Sequence, residues 1–316
     1  MKVLPFLEPI REELSLVEAK IRGMEDVGYA PLVEAFSTLM GSGGKRLRPA
    51  VVILCSKFFQ VELARVVALA AAVETLHTAT LVHDDVIDGA LIRRGHPTLN
   101  AIWSSEATVL AGDYLFARAA GFAAETGSVE VMRSFARTLK TICDGELRQL
   151  FSTLDWDQPR EAYYQRIFSK TASLFLSAAE SVGLLAEAPE DQMEALRSFG
   201  YNLGMAFQIV DDILDFVGDE QVMGKPVGSD LRQGTITLPV FYFMQQHPEV
   251  EVPALYAREG VDRVIDLVRN SEAIQAAQDE AEAFADQAVR ALGIFPDGPY
   301  LRTMRALAEY VVARRW

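Results

Sequence analysis

The chain has 316 residues, half of them hydrophobic, and carries a formal net charge of −14 at pH 7 with a pI near 4.8. This acidic balance argues against nucleic acid as a partner, because binding a phosphate backbone requires a basic surface. Two isolated cysteines, Cys55 and Cys143, indicate neither a disulfide framework nor a zinc site, which suits a reducing cytoplasm. We expect no signal peptide, since Glu8 and Arg11 interrupt the first apolar residues, and no integral membrane segment, since the longest apolar run, Val66 to Val73, is too short.

The hydrophobic periodicity is helical along nearly the whole chain, and no stretch alternates convincingly as a strand would. Residues 217–230 contain three glycines and a proline, which is typical of a mobile lid beside a charged site. The sequence therefore predicts an all-α fold, a single domain over residues 1–316 that forms a helical bundle around a deep central cavity. Predicted helices cover residues 6–23, a short stretch ending at 41–44, a stretch through about 59, and residues 62–88, 101–125, 128–151, 160–186, 189–217, 236–246, 260–268, 271–291 and 299–314.

One acidic pattern, DDxxD, occurs twice in apolar, helix-forming surroundings, at residues 84–88 and 211–215. On a helix, positions i and i+4 share a face, so the first and last carboxylates of each motif lie close together and repel. A solvated acidic helix end explains one copy as well as a metal site does, but two copies favour a metal. Oxygen ligands suit magnesium, manganese or calcium, and magnesium typically takes one or two carboxylates plus substrate phosphates. The motifs therefore predict a polyphosphate held by magnesium between two facing aspartate clusters.

Basic residues accompany these motifs in an otherwise acidic chain. Lys45, Arg46 and Arg48 follow a glycine loop, and Arg93-Arg94 come five residues after Asp88. Each group alone is more simply read as a surface charge run. Together they favour anion binding, through arginine side chains and exposed backbone N–H groups.

Polar residues within apolar helices are further candidates. His77 lies two helical turns before Asp84 and faces the same way, although a core histidine with a satisfied hydrogen bond explains it equally well. His83 points to a different face and is interpreted as structural. Lys170-Thr171 and Gln208 lie in apolar helices, the latter one turn before the second motif.

Seven segments in order resemble the trans-isoprenyl diphosphate synthase family, and the similarity covers essentially the whole chain. The resemblance implies an all-α, isoprenoid synthase-like bundle, a homodimer, and 1′-4 condensation of isopentenyl diphosphate with an allylic diphosphate. The released diphosphate is then the expected base for the final proton. The segments are GGKRLRP (43–49), HTATLVHDDVID (77–88), RRG (93–95), GD (112–113), KTA (170–172), FQIVDDILD (207–215) and GKPVGSDLRQGTITLP (224–239).

The resemblance also implies a role for each matching residue. The cofactor would be magnesium, three ions with diphosphate bound, with manganese as a substitute. One departure is Gly234-Thr235, where the family often has a lysine after the glycine, so one diphosphate contact is lost. The implied metal ligands are Asp84, Asp88 and Asp211, with Asp215 as a further candidate and Asp85 and Asp212 in support; Arg93, Lys170 and Lys225 would hold the allylic diphosphate; Lys45, Arg48, His77 and Arg94 would hold isopentenyl diphosphate; Thr171 and Gln208 would lie near the developing carbocation.

Small residues near the first motif predict a long product. In the family, a bulky side chain four or five positions before the first aspartate stops elongation early, whereas Thr80 and Ala79 are small. The next plugs, a helical turn apart, would be Leu76 and Val73. We therefore expect a product of C25 or longer, with a geranylgeranyl or farnesyl diphosphate synthase as the alternative. A face of Ala117, Ala120, Gly121 and Ala124 would either continue the tunnel or serve close helix packing, with Phe116 or Phe122 as the floor.

Three other classes of protein share some of these features. A class I terpene cyclase would not need the second basic pocket at Lys45, Arg48 and Arg94. A histidine-aspartate metal phosphohydrolase would need more histidine ligands than four scattered histidines provide. A non-catalytic subunit of a heteromeric prenyl synthase should have lost some of its aspartates, and all six are present.

Overall fold

The structure, a computed structural model, describes residues 4–23, 28–41, 44–93, 95–151, 154–218 and 226–314. The chain forms two compact units. The first unit comprises residues 1–137, 177–197 and 294–304, and the second comprises residues 138–176, 198–293 and 305–316. The single domain expected from the sequence stays a prediction.

The described residues are helical almost throughout, as the periodicity predicted. After a 3₁₀-helix at Pro5–Ile10, the N-terminal elements are α1 (Arg11–Arg22), α2 (Ala30–Gly41), α3 (Leu47–Ser56), α4 (Leu63–Ile87), β1 (Ile92–Arg93), β2 (His96–Pro97), α5 (Leu99–Ile102), α6 (Ser105–Glu125) and α7 (Val129–Phe151). The remaining elements are α8 (Arg160–Ile167), a π-helix (Phe168–Ala172), α9 (Ser173–Ala186), α10 (Glu190–Val217), α11 (Ser229–Arg232), α12 (Leu238–Gln246), α13 (Val252–Glu259), α14 (Val261–Arg269), α15 (Ala273–Ala291), a 3₁₀-helix (Leu292–Ile294) and α16 (Pro299–Ala313).

The core helix of the first unit is α4, which packs against α1, α3 and α6. Its residues are apolar on every side, so the helix has no solvated face and is buried along most of its length. By length and composition α4 could cross a membrane, which the short run at 66–73 did not reveal, but 78% of its most apolar window is buried inside the structure. That burial is the pattern of a core helix.

A close approach between α4 and α6 depends on Gly112. A Cβ at this position would lie 2.3 Å from Nε2 of His83, so no larger residue fits without moving the imidazole ring. The same ring nitrogen lies 3.1 Å from the carbonyl oxygen of Val109 and 3.4 Å from Oδ1 of Asp113. The interpretation of His83 as structural agrees with these contacts. Gly112 leaves room for the imidazole ring, and the carboxylate of Asp113 lies beside it.

The second unit is built on α12 and α15, which pack closely because α15 presents alanines at four-residue intervals. Ala273, Ala277 and Ala281 are all fully buried and bring the two helix backbones together. Leu231, Val240 and other buried apolar side chains form one hydrophobic cluster with Ala273.

The predicted helix over 160–186 contains a π-helical turn at Phe168–Ala172. Within the second unit, this turn is flanked by two glycines. A Cβ at Gly145 would lie 2.4 Å from Cβ of Ser169, and one at Gly204 would lie 2.5 Å from Cα of Ala172. The glycines therefore allow α7 and α10 to approach the wider turn on its two sides.

Several boundaries differ from those that the sequence predicts. The structure adds α13, splits the predicted 101–125 helix at Trp103, and forms a two-residue antiparallel pairing, Ile92–Arg93 with His96–Pro97, where no strand is expected. Half of the predicted lid, residues 219–225, lies outside the described residues, while its last two residues belong to α11.

Candidate functional site

The first acidic motif lies at the C-terminal end of α4, in the first unit. Asp84 is half-buried and Asp88, the residue after the last helical one, is exposed. Asp85 is buried and accepts a hydrogen bond of 2.7 Å from Nε of Arg93. Burial raises the pKa of Asp85 above its usual value, and Arg93 partly opposes that rise. Asp84 and Asp88 thus stay accessible, while the carboxylate of Asp85 holds the loop after α4 through its bond to Arg93.

The three basic side chains near residue 45 have different surroundings. Arg46 forms ion pairs with Glu18 at 3.0 Å and with Glu74 at 2.8 Å, so it connects α1, α3 and α4. This corrects the interpretation of Arg46 as part of an anion site. Lys45 is exposed, whereas Arg48 is buried on the first turn of α3.

Three more basic candidates complete the predicted set. His77 is half-buried on α4, and its carbonyl oxygen accepts a hydrogen bond from the hydroxyl of Thr80. Arg94 and Lys225, predicted to hold diphosphates, lie outside the described residues.

The second acidic motif lies near the C-terminal end of α10, in the second unit. Asp211 is 41% exposed and forms an ion pair of 2.7 Å with Arg314, which is only 7% exposed. The guanidinium also lies 3.8 Å from the centre of the Phe207 ring and donates to the carbonyl of the same residue. Sequence reasoning missed Arg314, because no motif connects the end of the chain to residue 211.

Asp212 is buried at the centre of a chain of hydrogen bonds. Its Oδ2 accepts from the hydroxyl of Tyr163 at 2.8 Å, and its Oδ1 accepts from Nε2 of Gln208 at 2.8 Å. Gln208 in turn accepts from the hydroxyl of Thr171 at 2.6 Å. Burial, and secondarily Asp230, raises the pKa of Asp212 above its usual value, while the bonds from Gln208 and Tyr163 oppose the rise. Tyr163 was also missed, since it is 49 residues away in sequence.

Asp215, the last carboxylate of the motif, is buried and holds the segment around α11. Its Oδ2 accepts the backbone N–H of Asp230 at 3.0 Å, and its backbone carbonyl accepts the N–H of Gly228 at 2.8 Å. The half-buried Thr235, which stands where the family often has lysine, donates its backbone N–H to the carbonyl of Asp230. Metal binding by Asp215 stays a prediction.

Lys170 lies in the π-helical turn and is paired with Glu146 on α7, at 3.1 Å between Nζ and Oε1. The partner is 24 residues away in sequence, so no local pattern identifies it. The adjacent Thr171 is buried and points its hydroxyl at Gln208.

The predicted chain-length residues mostly lie inside the first unit. Val73, Leu76 and Ala79 are buried on α4. A cavity of about 140 Å³ is lined by side chains that include Phe36, Thr75 and Leu115. Thr75 lies one helical turn before Ala79, so the cavity lies on the side of α4 that carries Ala79.

The predicted small-residue face of α6 lies mostly at the protein surface. Gly121 is exposed, with no atom within 4 Å of a Cβ built on it, and Ala117 and Ala124 are exposed as well. The small residues Ala119 and Ala123 of α6 are instead among its fully buried residues. This corrects the interpretation of the Ala117–Ala124 face as a tunnel wall within the unit. The two aromatic candidates for the floor also differ: Phe122 is buried, whereas Phe116 is half-buried and its ring centre lies 4.9 Å from that of His83.

The residues present fit magnesium that shares its coordination with a substrate. Among the described residues, no three His, Cys, Asp or Glu side chains converge to hold a metal ion by themselves. Magnesium usually takes one or two carboxylates and completes its octahedron with water and phosphate oxygens. The accessible oxygens of Asp84, Asp88 and Asp211 are ligands of that type.

An all-α fold that carries two aspartate motifs of this kind is typical of one class of enzyme. Comparison with known proteins identifies that class. Residues 30–270 match the family model described as Polyprenyl synthetase, so the chain belongs to the polyprenyl synthetase family.

Individual relatives agree with this assignment along the whole chain. The chain is 38% identical to heptaprenyl diphosphate synthase component 2 of Geobacillus stearothermophilus, over 99% of both chains. It is 35% identical to octaprenyl diphosphate synthase of Escherichia coli, over 87% of this chain and 88% of that one. A crystal structure of polyprenyl synthase from Caulobacter crescentus, complexed with calcium and isoprenyl diphosphate, superimposes with a TM-score of 0.91 at 35% identity and covers 98% of this chain and 97% of that one.

Proposed function

We propose that the protein is a magnesium-dependent trans-prenyltransferase that condenses isopentenyl diphosphate with an allylic diphosphate to make a polyprenyl diphosphate of C25 or longer. The observation that carries this proposal is that each DDxxD motif ends a core helix with its first aspartate accessible, while its second is buried and hydrogen-bonded. The Caulobacter relative, complexed with calcium and isoprenyl diphosphate, supports a divalent cation and a prenyl diphosphate as ligands.

The basic side chains would bind the two diphosphates. The ion pair of Arg93 with Asp85 uses Nε, so we assign its two Nη groups to the allylic diphosphate. Lys170 and Lys225 would bind the same group, and Lys45, Arg48, His77 and Arg94 would bind isopentenyl diphosphate. Magnesium, when bound, would neutralise negative charge on the departing diphosphate.

The reaction needs no dedicated side-chain base. The allylic C–O bond ionises, and the resulting cation alkylates the double bond of isopentenyl diphosphate. The proton lost from the adduct goes to the released diphosphate. The polar side chains of Thr171 and Gln208 would stabilise positive charge in a site that excludes water.

Product length follows from the buried face of α4. Ala79 is fully buried and too small to block a growing chain, so elongation should pass it. The cavity beside Thr75 adds about 140 Å³, and a cavity of roughly that size admits a ligand as large as benzene. The relatives named as heptaprenyl and octaprenyl diphosphate synthases support a long product.

Incubation of the purified protein with magnesium, labelled isopentenyl diphosphate and farnesyl diphosphate tests this function. We expect a ladder of dephosphorylated products that ends at C25 or beyond. Products that stop at C20 would keep the enzyme class and move the floor up to Leu76 or Val73. No incorporation by folded protein with any allylic starter would refute the proposal.

A subunit role in a heteromeric synthase is the second candidate, because one relative is named component 2 of a heptaprenyl diphosphate synthase. All six aspartates argue for a chain that is itself catalytic. The incubation above separates the two candidates: activity of this chain alone excludes a requirement for another component.

We propose a cytoplasmic homodimer that uses the exposed side of α6. Val109 and Leu110 are large apolar residues that are exposed there, and they continue into the small residues around Gly121. An apolar face of this kind is typical of a protein interface. Leu110→Glu should convert a dimer into a monomer in light scattering; a monomeric parent protein would contradict the proposal.

A further inference from the structure

The hydrogen bonds around Asp212 have a defined direction from donor to acceptor. In the structure, both side chains that hydrogen-bond to Asp212 donate, and both carboxylate oxygens accept. Tyr163 donates through its hydroxyl, which is its only donor, and Gln208 donates through Nε2. This fixes the orientation of the Gln208 amide, with its carbonyl oxygen turned away from Asp212.

The same constraint passes from Gln208 to Thr171. Since the Gln208 carbonyl accepts, Thr171 must use its single hydroxyl proton to donate at 2.6 Å. Thr171 therefore has only lone pairs left for any other neighbour. A hydroxyl in this state attracts positive charge and cannot donate to anything else.

The components of this chain are held rigidly. Tyr163 and Asp212 are both fully buried, so neither exchanges its bond for water. The π-helical turn that carries Thr171 abuts Gly204, in the same helix as Gln208 and Asp212. Polar groups pre-oriented in this way cost no reorganisation when charge develops.

We infer that Tyr163 and Asp212 are positioning residues that orient Gln208 and thereby turn the lone pairs of Thr171 toward the ionising allylic substrate. The inference rests on the proposed function, which puts Thr171 near the carbocation. It assigns a role to Tyr163 and makes Asp212 the residue that sets the hydrogen-bond direction rather than a metal ligand.

Tyr163→Phe is the first test, because it removes one hydroxyl, and Tyr164→Phe is its matched control. Tyr164 is the next residue of α8 and donates to Glu280, which belongs to a different network. We expect Tyr163→Phe to lower kcat at least tenfold while KM for both substrates changes less than threefold. Tyr164→Phe should stay within twofold of the parent. A merely structural role would give similar losses in both variants and would overturn the inference.

Binding provides a readout that is independent of turnover. Farnesyl thiolodiphosphate, in which sulfur replaces the bridging oxygen, binds but ionises slowly. Its Kd should be the same within threefold for the parent and Tyr163→Phe, because only the charge that develops on ionisation is affected. A Kd that weakens in proportion to kcat/KM would show that Tyr163 acts on ground-state binding and would refute the inference.

Reversal and rescue of the hydrogen-bond direction form the decisive experiment. Asp212→Asn introduces a donor that opposes the Gln208 amide, so kcat should fall about 100-fold. In the double variant Asp212→Asn, Gln208→Glu, the new amide donates to the new carboxylate, which still accepts from Thr171. The double variant should recover at least tenfold over Asp212→Asn; no recovery would overturn the inference even if Tyr163→Phe failed to fold.

These outcomes are distinguishable from failure of the proposed function. A parent protein that makes no prenyl product refutes the proposed function, and the inference falls with it. An active parent whose four variants do not follow the expected order refutes the inference alone.

Discussion

Replacing Gly204 by alanine tests the close contact between α10 and the π-helical turn. The new Cβ would lie 2.5 Å from Cα and 2.8 Å from Cβ of Ala172, and neither atom can move without moving the backbone. Alanine in a helix interior gains about 1 kcal/mol over glycine, while overpacking a core costs about 1–3 kcal/mol. With rigid backbone as the neighbour we take the upper value, so the free energy of unfolding should fall by about 2 kcal/mol.

Gly183→Ala is the control, since it makes the same change in the interior of α9. There the new Cβ would meet Cε of Met193 at 2.8 Å and Sδ at 2.9 Å, the flexible end of a side chain that can swing aside. We expect its stability to stay close to that of the parent. Urea unfolding followed by circular dichroism at 222 nm measures both variants. Equal free energies of unfolding for Gly204→Ala and Gly183→Ala would refute the claim that the rigid contact at Ala172 is decisive.

Three further changes test other parts of the structure. Arg314→Gln removes the counter-ion of Asp211, and an ion pair at a half-exposed site contributes on the order of 1 kcal/mol, so Mn²⁺ titration with inorganic diphosphate present should show roughly fivefold tighter binding. An unchanged Mn²⁺ affinity would contradict the competition between Arg314 and the metal for Asp211. Glu280→Gln weakens the hydrogen bonds from Tyr164, Tyr242 and Arg160, so the free energy of unfolding in urea should fall by about 2 kcal/mol. A fall of less than about 0.5 kcal/mol would show that these bonds to Glu280 do not stabilise the fold. Ala79→Tyr should shorten the product to about C15–C20 in the folded fraction; an unchanged length would show that the chain grows elsewhere.

Much of the fold was readable because its signals are local. The apolar residues of α4 predicted a long buried helix, and the structure confirms it within one residue at each end. The all-α class followed from the same periodicity, and the matching family model confirms the resemblance that the seven segments carried. The helix at Val252–Glu259 escaped prediction because it is short, and short helices depend on packing more than on propensity.

The parts of the candidate site that were missed depend on distant contacts. Tyr163 and Arg314 reach the second motif from 49 and 103 residues away, and no sequence pattern encodes such pairs. The face at Gly121 was misread because small residues suit a tunnel, a tight packing or an exposed surface equally well, and only burial distinguishes these cases. Arg46 was grouped with its basic neighbours because its acidic partner Glu74 is identifiable only in three dimensions.

The π-helical turn has a consequence for the permitted length of the chain. Residues in an α-helix are about 100° apart around the axis, so one extra residue in a turn shifts everything beyond it by that angle. Tyr163, before the turn, bonds to Asp212, while the ring centre of Phe175, after it, lies 5.3 Å from that of Phe207 in the same helix. Deleting one residue from Phe168–Ala172 would restore regular α-helix but put these two contacts out of phase, so that only one could survive. A one-residue deletion in a surface loop costs little, whereas here it would put Thr171 out of register with Tyr163.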